Sequence, residues 1–418
     1  MSLPSFSIAL DLFPLLAATL AALVCALLGN FLVLRRLSLM GDAISHAVLP
    51  GLVIAFIISE SRSSLAMLLG AAIAGIATVV LVELVKKLGR VEPGAAMGVV
   101  FSVLFALGVL LIENAAVRHV DLDADCVLHG QLETLVWFGA PDRFLDLLSP
   151  ATLDAIPRQV TTLLVMLVAA SVFVALFFKE LRLAAFDPAL ATTQGFNATA
   201  MHFALMLFVA GATVASFEAV GSILVIAMLI CPAATARLLT DRLLPQIAAS
   251  LVAALFASLA GYFGASWIPA MVSADSVNAA GVITVASGAI LIGAAVVSPS
   301  HGVLARALRR ASMRRRIALD DLLASLYRRE EGAAAPRPAT ASRTVRLATR
   351  LGFMTGDAQA LTDAGRAAAR DVVRRHRLWE SYLVERAGLS PDHVHETAER
   401  LEHLGIRPTG GPPTDPHG

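Results

Sequence analysis

The sequence predicts an all-α, polytopic helical membrane protein with a small, mostly helical cytoplasmic domain at its C-terminus. Of its 418 residues, 57% are hydrophobic, and the mean hydropathy is +0.74. A soluble domain of this length does not need so many apolar side chains. Charged residues are sparse up to about His301 and dense after it, although the formal net charge is only +1. This asymmetry divides the chain into a membrane part and a soluble part.

The membrane part contains nine apolar segments of the length that a spanning helix needs, which is roughly 20 residues. They are Phe13–Leu34, Leu39–Ile58, Leu65–Leu84, Gly94–Ile112, Thr161–Phe178, Met201–Phe217, Val220–Leu239, Ile247–Trp267 and Ala279–Val297. The sixth and seventh segments are almost contiguous, so this pair is either a tight hairpin or includes a half-helix. We therefore predict eight or nine transmembrane helices.

Lys and Arg residues mark one side of the membrane, because they cluster at alternate ends of the nine segments. The clusters are Arg35–Arg36, Lys86–Arg90, Lys179–Arg182, Arg237–Arg242 and the residues after His301. Loops rich in Lys and Arg stay in the cytoplasm. The N-terminus is therefore predicted to lie outside and the C-terminal domain inside. The N-terminal residues lack the basic region and cleavage site of a secretory signal, so the first span is expected to stay in the membrane.

Two kinds of motif are absent from the sequence, which restricts the range of functions that it predicts. Cys25, Cys126 and Cys231 are far apart and form no C-x-x-C, so neither a disulfide framework nor a thiolate zinc site is predicted. No G-x-x-x-x-G-K-[ST] motif occurs, so the chain is not expected to cradle ATP phosphates. We predict that the protein is not an enzyme and holds no cofactor for catalysis.

The most informative stretch is Arg35 to Gly51, R-R-L-S-L-M-G-D-A-I-S-H-A-V-L-P-G. It places Asp42 and His46 four residues apart in an apolar segment, which puts both on one face of a helix. Ionisable groups at membrane depth are costly and usually face a pathway or a protein partner. A carboxylate and an imidazole one turn apart suit a first-row divalent cation. They also suit a structural cross-link between helices, and the residues alone leave both interpretations open.

The string G-D-A-I-S-H-A-V-L-P-G resembles the hallmark of the membrane permease of bacterial ABC importers for zinc, manganese and iron. The resemblance extends to about Gly302, and V-D-L-D-A-D-C-V-L is similar to the manganese branch. It implies that Asp42 and His46 line the path of a manganese, zinc or iron ion. It also implies a bacterial inner-membrane location and three partners, which are a separate ATP-binding subunit, an extracytoplasmic metal-binding protein and a second permease copy or paralogue.

Two stretches between spans carry further expectations. The stretch from Pro232 to Arg242 resembles the segment through which such permeases dock on their ATPase, although an ordinary helix-terminating loop has a similar composition. The docking residues that this resemblance implies are Pro232, Ala233, Ala236, Arg237, Asp241 and Arg242. Between Phe186 and Gly195, a Pro near the start and a Gly at the end predict a short cytoplasmic helix.

Composition divides the chain into four parts, of which residues 1–302 are the permease domain. Residues 303–341 combine a basic juxtamembrane run (306–316), an amphipathic helix and a linker rich in Ala and Pro. Residues 342–405 are helical and soluble in pattern, and residues 406–418 are expected to be disordered. The basic run is expected to attract anionic membrane lipids, and nucleic acid is not an expected partner.

Residues Leu361 to Leu404 resemble the metal-binding and dimerisation region of iron- and manganese-dependent repressors. The ligands that this implies are His376, Glu380, His395, Glu399, Glu402 and His403. Asp321 fits a further ligand from the first helix of the repressors, whereas Ala324 stands where a second acid is expected. Oxygen-rich ligation with imidazole favours manganese or iron. The region between Glu331 and Leu361 is too short for a complete recognition helix, so DNA binding is not expected.

The sequence therefore predicts the permease subunit of an ABC importer for divalent metal cations, with manganese first and zinc or iron next. Its cytoplasmic domain is expected to sense metal and to dimerise, or else to be a relic that only helps permeases to pair. Two rival functions stay open. One is a secondary carrier or channel in which Asp42 and His46 form a proton-coupled site. The other is a membrane-tethered metal sensor that transports nothing.

Overall fold

The computed structural model describes residues 7–37, 39–59, 64–116, 132–135, 137, 156–272, 277–332, 342–355, 360–390, 394, 397–398 and 401. These residues form thirteen α-helices and one 3-10 turn (Leu132–Thr134), with a single isolated β-bridge and no strand among them. The predicted all-α class is confirmed. The chain divides into two compact units, Met1–Val303 and Leu304–Gly418, and each has a hydrophobic core of its own.

The first unit contains ten described helices. They are α1 (Ile8–Leu34), α2 (Leu39–Ser59), α3 (Ser64–Gly89), α4 (Pro93–Ala116), α5 (Arg158–Leu176), α6 (Phe178–Phe186), α7 (Pro188–Thr193), α8 (Ala198–Leu239), α9 (Leu243–Val272) and α10 (Ala279–Val297). Seven of the described helices, namely α1, α3, α4, α5, α8, α9 and α10, are long and apolar enough to cross a membrane. With 21 residues, α2 has the length of a further span.

Helix α8 is too long for a single crossing. Its 42 residues would extend over about 63 Å, roughly twice the hydrocarbon core of a bilayer. The helix breaks at Gly221 (φ 77°, ψ 167°), a conformation that residues with a Cβ rarely adopt. Near its start, His202 contacts Arg35, and in its second half Leu229 lies against Gly29. Because Gly29 and Arg35 both belong to the last turns of α1, the chain reverses at Gly221 into a hairpin.

The sixth and seventh predicted segments are the two limbs of this hairpin, and their boundary falls at Gly221 rather than at residues 218–219. Both ends of α8 therefore lie on the side of the bundle at which α1 ends, which we call the basic side. Gln246, at the start of α9, donates a hydrogen bond to Asn30 on the same side (3.0 Å). At the other side, Tyr262 of α9 donates to Asp11 of α1 (2.9 Å). These contacts agree with helices that alternate in direction.

Small residues allow the helices of the first unit to approach closely. A side chain at Gly29 would collide with the backbone carbonyl of Leu229, and one at Gly261 would collide with the backbone of Ile283 in α10. Lipid tails are as apolar as Leu, so helices in a bilayer associate largely through this kind of close backbone packing. The position of α1 next to the second limb of the hairpin depends on the contact at Gly29.

The second unit is built from α11 (Val303–Glu330), α12 (Ser342–Arg350) and α13 (Asp363–Glu385). Leu322 and Leu323 of α11 pack with Ala348 of α12 and with Leu361. The basic run and the predicted amphipathic helix therefore form one continuous helix of 28 residues. The second half of this helix belongs to the core of the second unit. Residues 333–341, in the predicted linker, and residues 406–418, the predicted disordered tail, lie outside the described residues.

The packing at Gly29 makes a testable prediction. Gly29→Ala should lower the free energy of unfolding by about 1–3 kcal/mol, because the added methyl group forces α1 away from Leu229. The matched control is Gly98→Ala in α4, where a Cβ would meet no atom within 4 Å. Thermal unfolding of the purified proteins in detergent checks the difference, and equal melting temperatures for the two variants would contradict the packing of α1 on α8.

Candidate functional site

Asp42 and His46 both lie in α2, one helical turn apart, as the sequence predicts. Their side chains lie outside the described residues, so the helix register alone defines the face on which they lie. Pro50 and Val53 lie on the same face of α2, four and seven residues after His46, and both are buried. On that face of α2, the described neighbours Pro50 and Val53 are therefore packed inside the first unit.

Helices α3 and α8 pack against α2. A Cβ at Gly41 would lie 3.0 Å from the Leu229 side chain in the second limb of α8. Gly51 lies against the backbone of Gly70 in α3, where a Cβ on either residue would collide with the other backbone. Helix α2 therefore packs against both α3 and α8 within the first unit.

A cavity of about 470 Å³ lies between α2, α3 and α4, and its described lining begins at Ala47, next to His46. Its lining is almost entirely apolar and includes Pro50, Ile54, Ile73 and Leu107. A desolvated divalent cation is not stable among such groups, because nothing there replaces its hydration shell. The described lining of this cavity therefore offers almost no polar group to a cation.

A buried ionic network joins three helices at the basic side. His202 of α8 contacts Arg35 through Nδ1 (3.0 Å) and Glu83 of α3 through Nε2 (3.1 Å), and Lys86 donates to Glu83 (3.0 Å). Only 12% of the Glu83 side chain and 16% of the His202 side chain are exposed. Sequence reasoning missed this network, although an acid inside the third apolar segment was the available signal. Its two cationic groups disfavour a bound metal ion, so its role is to tie the helix ends together.

The structure separates the predicted docking residues into two groups. Pro232, Ala233 and Ala236 are buried within the first unit. Three others lie at the end of the hairpin, where Asp241 and Arg242 are exposed and Arg237 is partly exposed. Asp241 is held by Arg237 (3.5 Å) and by His301, which follows α10 (3.3 Å). A docking surface can include the charged group, whereas the three buried residues are not accessible to another subunit.

Helices α6 and α7 form a second surface between spans. The predicted short helix is confirmed as α7, whose first turn is capped by the Asp187 side chain, which accepts from Ala189 and Leu190 N–H (3.0 Å each). Phe186 and Leu190 are 57% and 45% exposed, although these helices are too short to cross a membrane. This exposed apolar pair lies in a connection between α5 and the basic-side end of α8.

In the second unit, the structure describes two of the predicted metal ligands on α13. His376 is buried, at 3% exposure, and its Nε2 lies 3.1 Å from Oε1 of Glu380. His395, Glu399, Glu402 and His403 lie outside the described residues. Leu383 of α13 packs with Val394 and Ala398, which are described residues. Among the residues that the structure describes, no group of three His, Cys, Asp or Glu side chains forms a metal site.

The remaining predicted ligand, Asp321, is exposed on α11, whereas its neighbour Asp320 is buried. Ala324 packs against Val372 and Val373 of α13, which explains why an acid is not accommodated there. Glu330 of α11 contacts Arg366 near the start of α13, and Ala324 contacts Val372, so the two helices run antiparallel. Asp320 precedes Ala324 by one turn and His376 follows Val372 by one turn, which places Asp320 at the level of His376. An imidazole beside carboxylates fits a manganese or iron ion. Asp320, Ala324 and Tyr327 follow one another at intervals of four and three residues, so the sequence places them on one face of α11. This spacing could have indicated that Asp320 is buried.

Comparison with known proteins decides the family of the first unit. Residues 12–136 and 152–298 match the model of the ABC 3 transport family, which covers more than half of the chain. The chain belongs to the ABC 3 transport family. This match confirms the resemblance to metal-type permeases that the Asp42 and His46 motif indicates. The resemblance of residues Leu361 to Leu404 to the repressors is also confirmed, because residues 362–405 match the metal binding and dimerisation domain of the iron dependent repressor.

The alignments of this chain with curated relatives cover most of the length of those relatives. The manganese transport system membrane protein MntD of Bacillus subtilis is 36% identical over 71% of this chain and 95% of its own. The zinc transport system membrane protein TroD of Treponema pallidum is 40% identical over 70% of this chain and 75% of its own. The solved structure of PsaBC from Streptococcus pneumoniae in complex with Fab covers 69% of this chain and 92% of its own, with 27% identity and a TM-score of 0.55.

Proposed function

We propose that this protein is the permease subunit of an ABC importer that carries divalent metal cations, manganese first and zinc or iron next. The observation that carries the proposal is the Asp42 and His46 pair, one helical turn apart in α2, in a member of the ABC 3 transport family. The curated relatives named for manganese and for zinc support this class of cargo. In the proposed mechanism, the carboxylate and the imidazole replace part of the hydration shell of the ion as it passes α2.

The energy for transport must come from another subunit, because the sequence contains no phosphate-binding loop. We propose that the ATPase docks on the basic side, which places that side and the soluble unit in the cytoplasm. Its contact surface would combine the charged end of the hairpin with the exposed Phe186 and Leu190 of the α6–α7 connection. An apolar anchor with a charged rim is the usual composition of such a contact. An extracytoplasmic metal-binding protein and a second permease would complete the importer.

The second unit is proposed to sense cytoplasmic metal and to reduce uptake when metal is plentiful. His376 and Glu380 would supply two ligands, with the segment after Val394 and an acid of α11 supplying others. The match of residues 362–405 to a metal binding and dimerisation domain supports this role. The competing role is a contact that only pairs two permeases, and the experiment on the second unit separates the two.

Removal of the acid and the imidazole tests the cation path. Asp42→Asn with His46→Ala should reduce manganese uptake at least about tenfold. Removing a residue that only hydrogen-bonds to a metal ligand already lowers metal affinity by about that factor, and removing the ligand itself should lower it at least as much. Glu92→Gln, an exposed acid between α3 and α4, is the control and should transport normally. Uptake of radioactive manganese by cells lacking their own importers measures the effect. Full uptake by a double variant that reaches the membrane would refute the proposal.

Charge reversal and disruption of the apolar pair test the docking surface. Leu190→Asp with Arg242→Glu should weaken co-purification of the ATPase by about tenfold, because it removes an anchor and reverses a rim charge. Lys87→Glu alters an exposed charge at the basic-side end of α3 and serves as the control. If the control and the double variant lose the ATPase equally, the surface is not the docking site.

The role of the second unit is tested by loading cells with manganese before uptake is measured. His376→Ala with Glu380→Ala should keep uptake high in loaded cells, because the sensing ligands are missing, whereas the wild type slows. Arg366→Ala removes exposed ion pairs of α13 and should behave like the wild type. Equal slowing in all three proteins would favour a unit that only pairs permeases.

A further inference from the structure

The second unit contains a cavity of about 470 Å³ that is lined by side chains from two helices. The lining residues are Arg315 of α11 and Arg343, Thr344, Arg346, Leu347 and Arg350 of α12. Four of these six described residues are arginines. The two helices are far apart in the sequence, so the folding of this unit assembles the cluster.

The packing of α12 holds its arginines toward the cavity. Arg343, Arg346 and Arg350 follow one another at intervals of three and four residues, which places them on one face of the helix. On the opposite face, Val345 and Ala348 pack into the core with α11. The arginine face is therefore fixed by the core, and its three arginines are exposed to a ligand from solution.

The charge of the described lining comes from its arginines. Four guanidinium groups, which stay charged at every physiological pH, line one space. An anion that enters this space is attracted by each of them.

We propose that this cavity binds a phosphate-bearing anion. The planar guanidinium group donates two parallel hydrogen bonds to phosphate oxygens, and several such groups converge here with the Thr344 hydroxyl. The volume exceeds that of a single phosphate and accommodates a diphosphate or a lipid head group. Only Arg315 belongs to the basic run 306–316, so the site is distinct from general attraction of that run to a membrane. It does not depend on the proposed transport function.

The phosphate group has two possible sources, a dissolved anion or an acidic phospholipid, since α11 follows the last candidate span closely in the chain. For the first source, inorganic pyrophosphate is titrated into the full-length protein in detergent, and binding is followed by calorimetry. For the second, the protein is mixed with phosphatidylcholine micelles with and without phosphatidylglycerol, and native mass spectrometry counts the retained lipids. One of the two experiments should show binding to the wild type, and that experiment identifies the source of the phosphate group. In it, Arg343→Gln with Arg350→Gln should weaken binding about tenfold.

The matched control is Arg310→Gln with Arg316→Gln, which removes two exposed charges of α11 outside the cavity and should leave binding within about twofold. Arg343→Lys with Arg350→Lys keeps the charge and should bind with intermediate affinity, which separates recognition from a folding defect. Loss confined to the cavity variants supports the proposal. Equal loss in both glutamine variants, no binding in either arm, or binding of a double-stranded DNA probe alone would overturn it.

Discussion

A bilayer provides no water to the polar groups of a helix, and this constraint shapes the first unit. Every ionisable or strongly polar side chain at that depth must find a partner between helices. Asn30 is fully buried and bonds to Ser250 (2.6 Å) and Gln246, and Glu83 is held by Lys86 and His202. Asp42 and His46 belong to the same unit, and we propose that the travelling cation is the partner of this pair.

The hairpin of α8 allows the chain to satisfy this constraint. Its first limb brings His202 to Arg35 and Glu83, and its second limb lies against Gly29 of α1 and Gly41 of α2. Both limbs therefore line the space around α1 and α2. A reversal within a few residues requires the backbone conformation of Gly221. The same helix also ends in the proposed docking surface.

Much of this architecture could be predicted from the sequence, because spanning helices have a strong apolar signal. All nine apolar segments correspond to described helices or to limbs of α8, and the alternation of Lys and Arg fits the contacts at both sides. The position of the reversal could not be fixed, since Gly221 lies in an apolar run without a polar loop. The burial of Pro232, Ala233 and Ala236 could not be foreseen either, because small apolar residues suit both a core and an interface.

The second unit was harder to interpret, because its resemblance to the repressors covers only part of it. The ligand motif indicates His376 and Glu380, and the structure places them 3.1 Å apart. Asp320 and the arginine cavity depend on how α11, α12 and α13 pack, which no single segment reveals. The basic run, which the sequence indicates as a membrane-facing charge, is also the first half of a helix that forms the soluble core.

The central claim is that the travelling ion binds the imidazole of His46 together with Asp42. Pulsed electron paramagnetic resonance of manganese bound to the purified protein measures this most directly, because it detects a nitrogen ligand through its coupling to the metal. We expect a nitrogen coupling that His46→Ala removes and that His376→Ala leaves in place. A spectrum that is unchanged by His46→Ala, with the same amount of metal bound, would contradict the account.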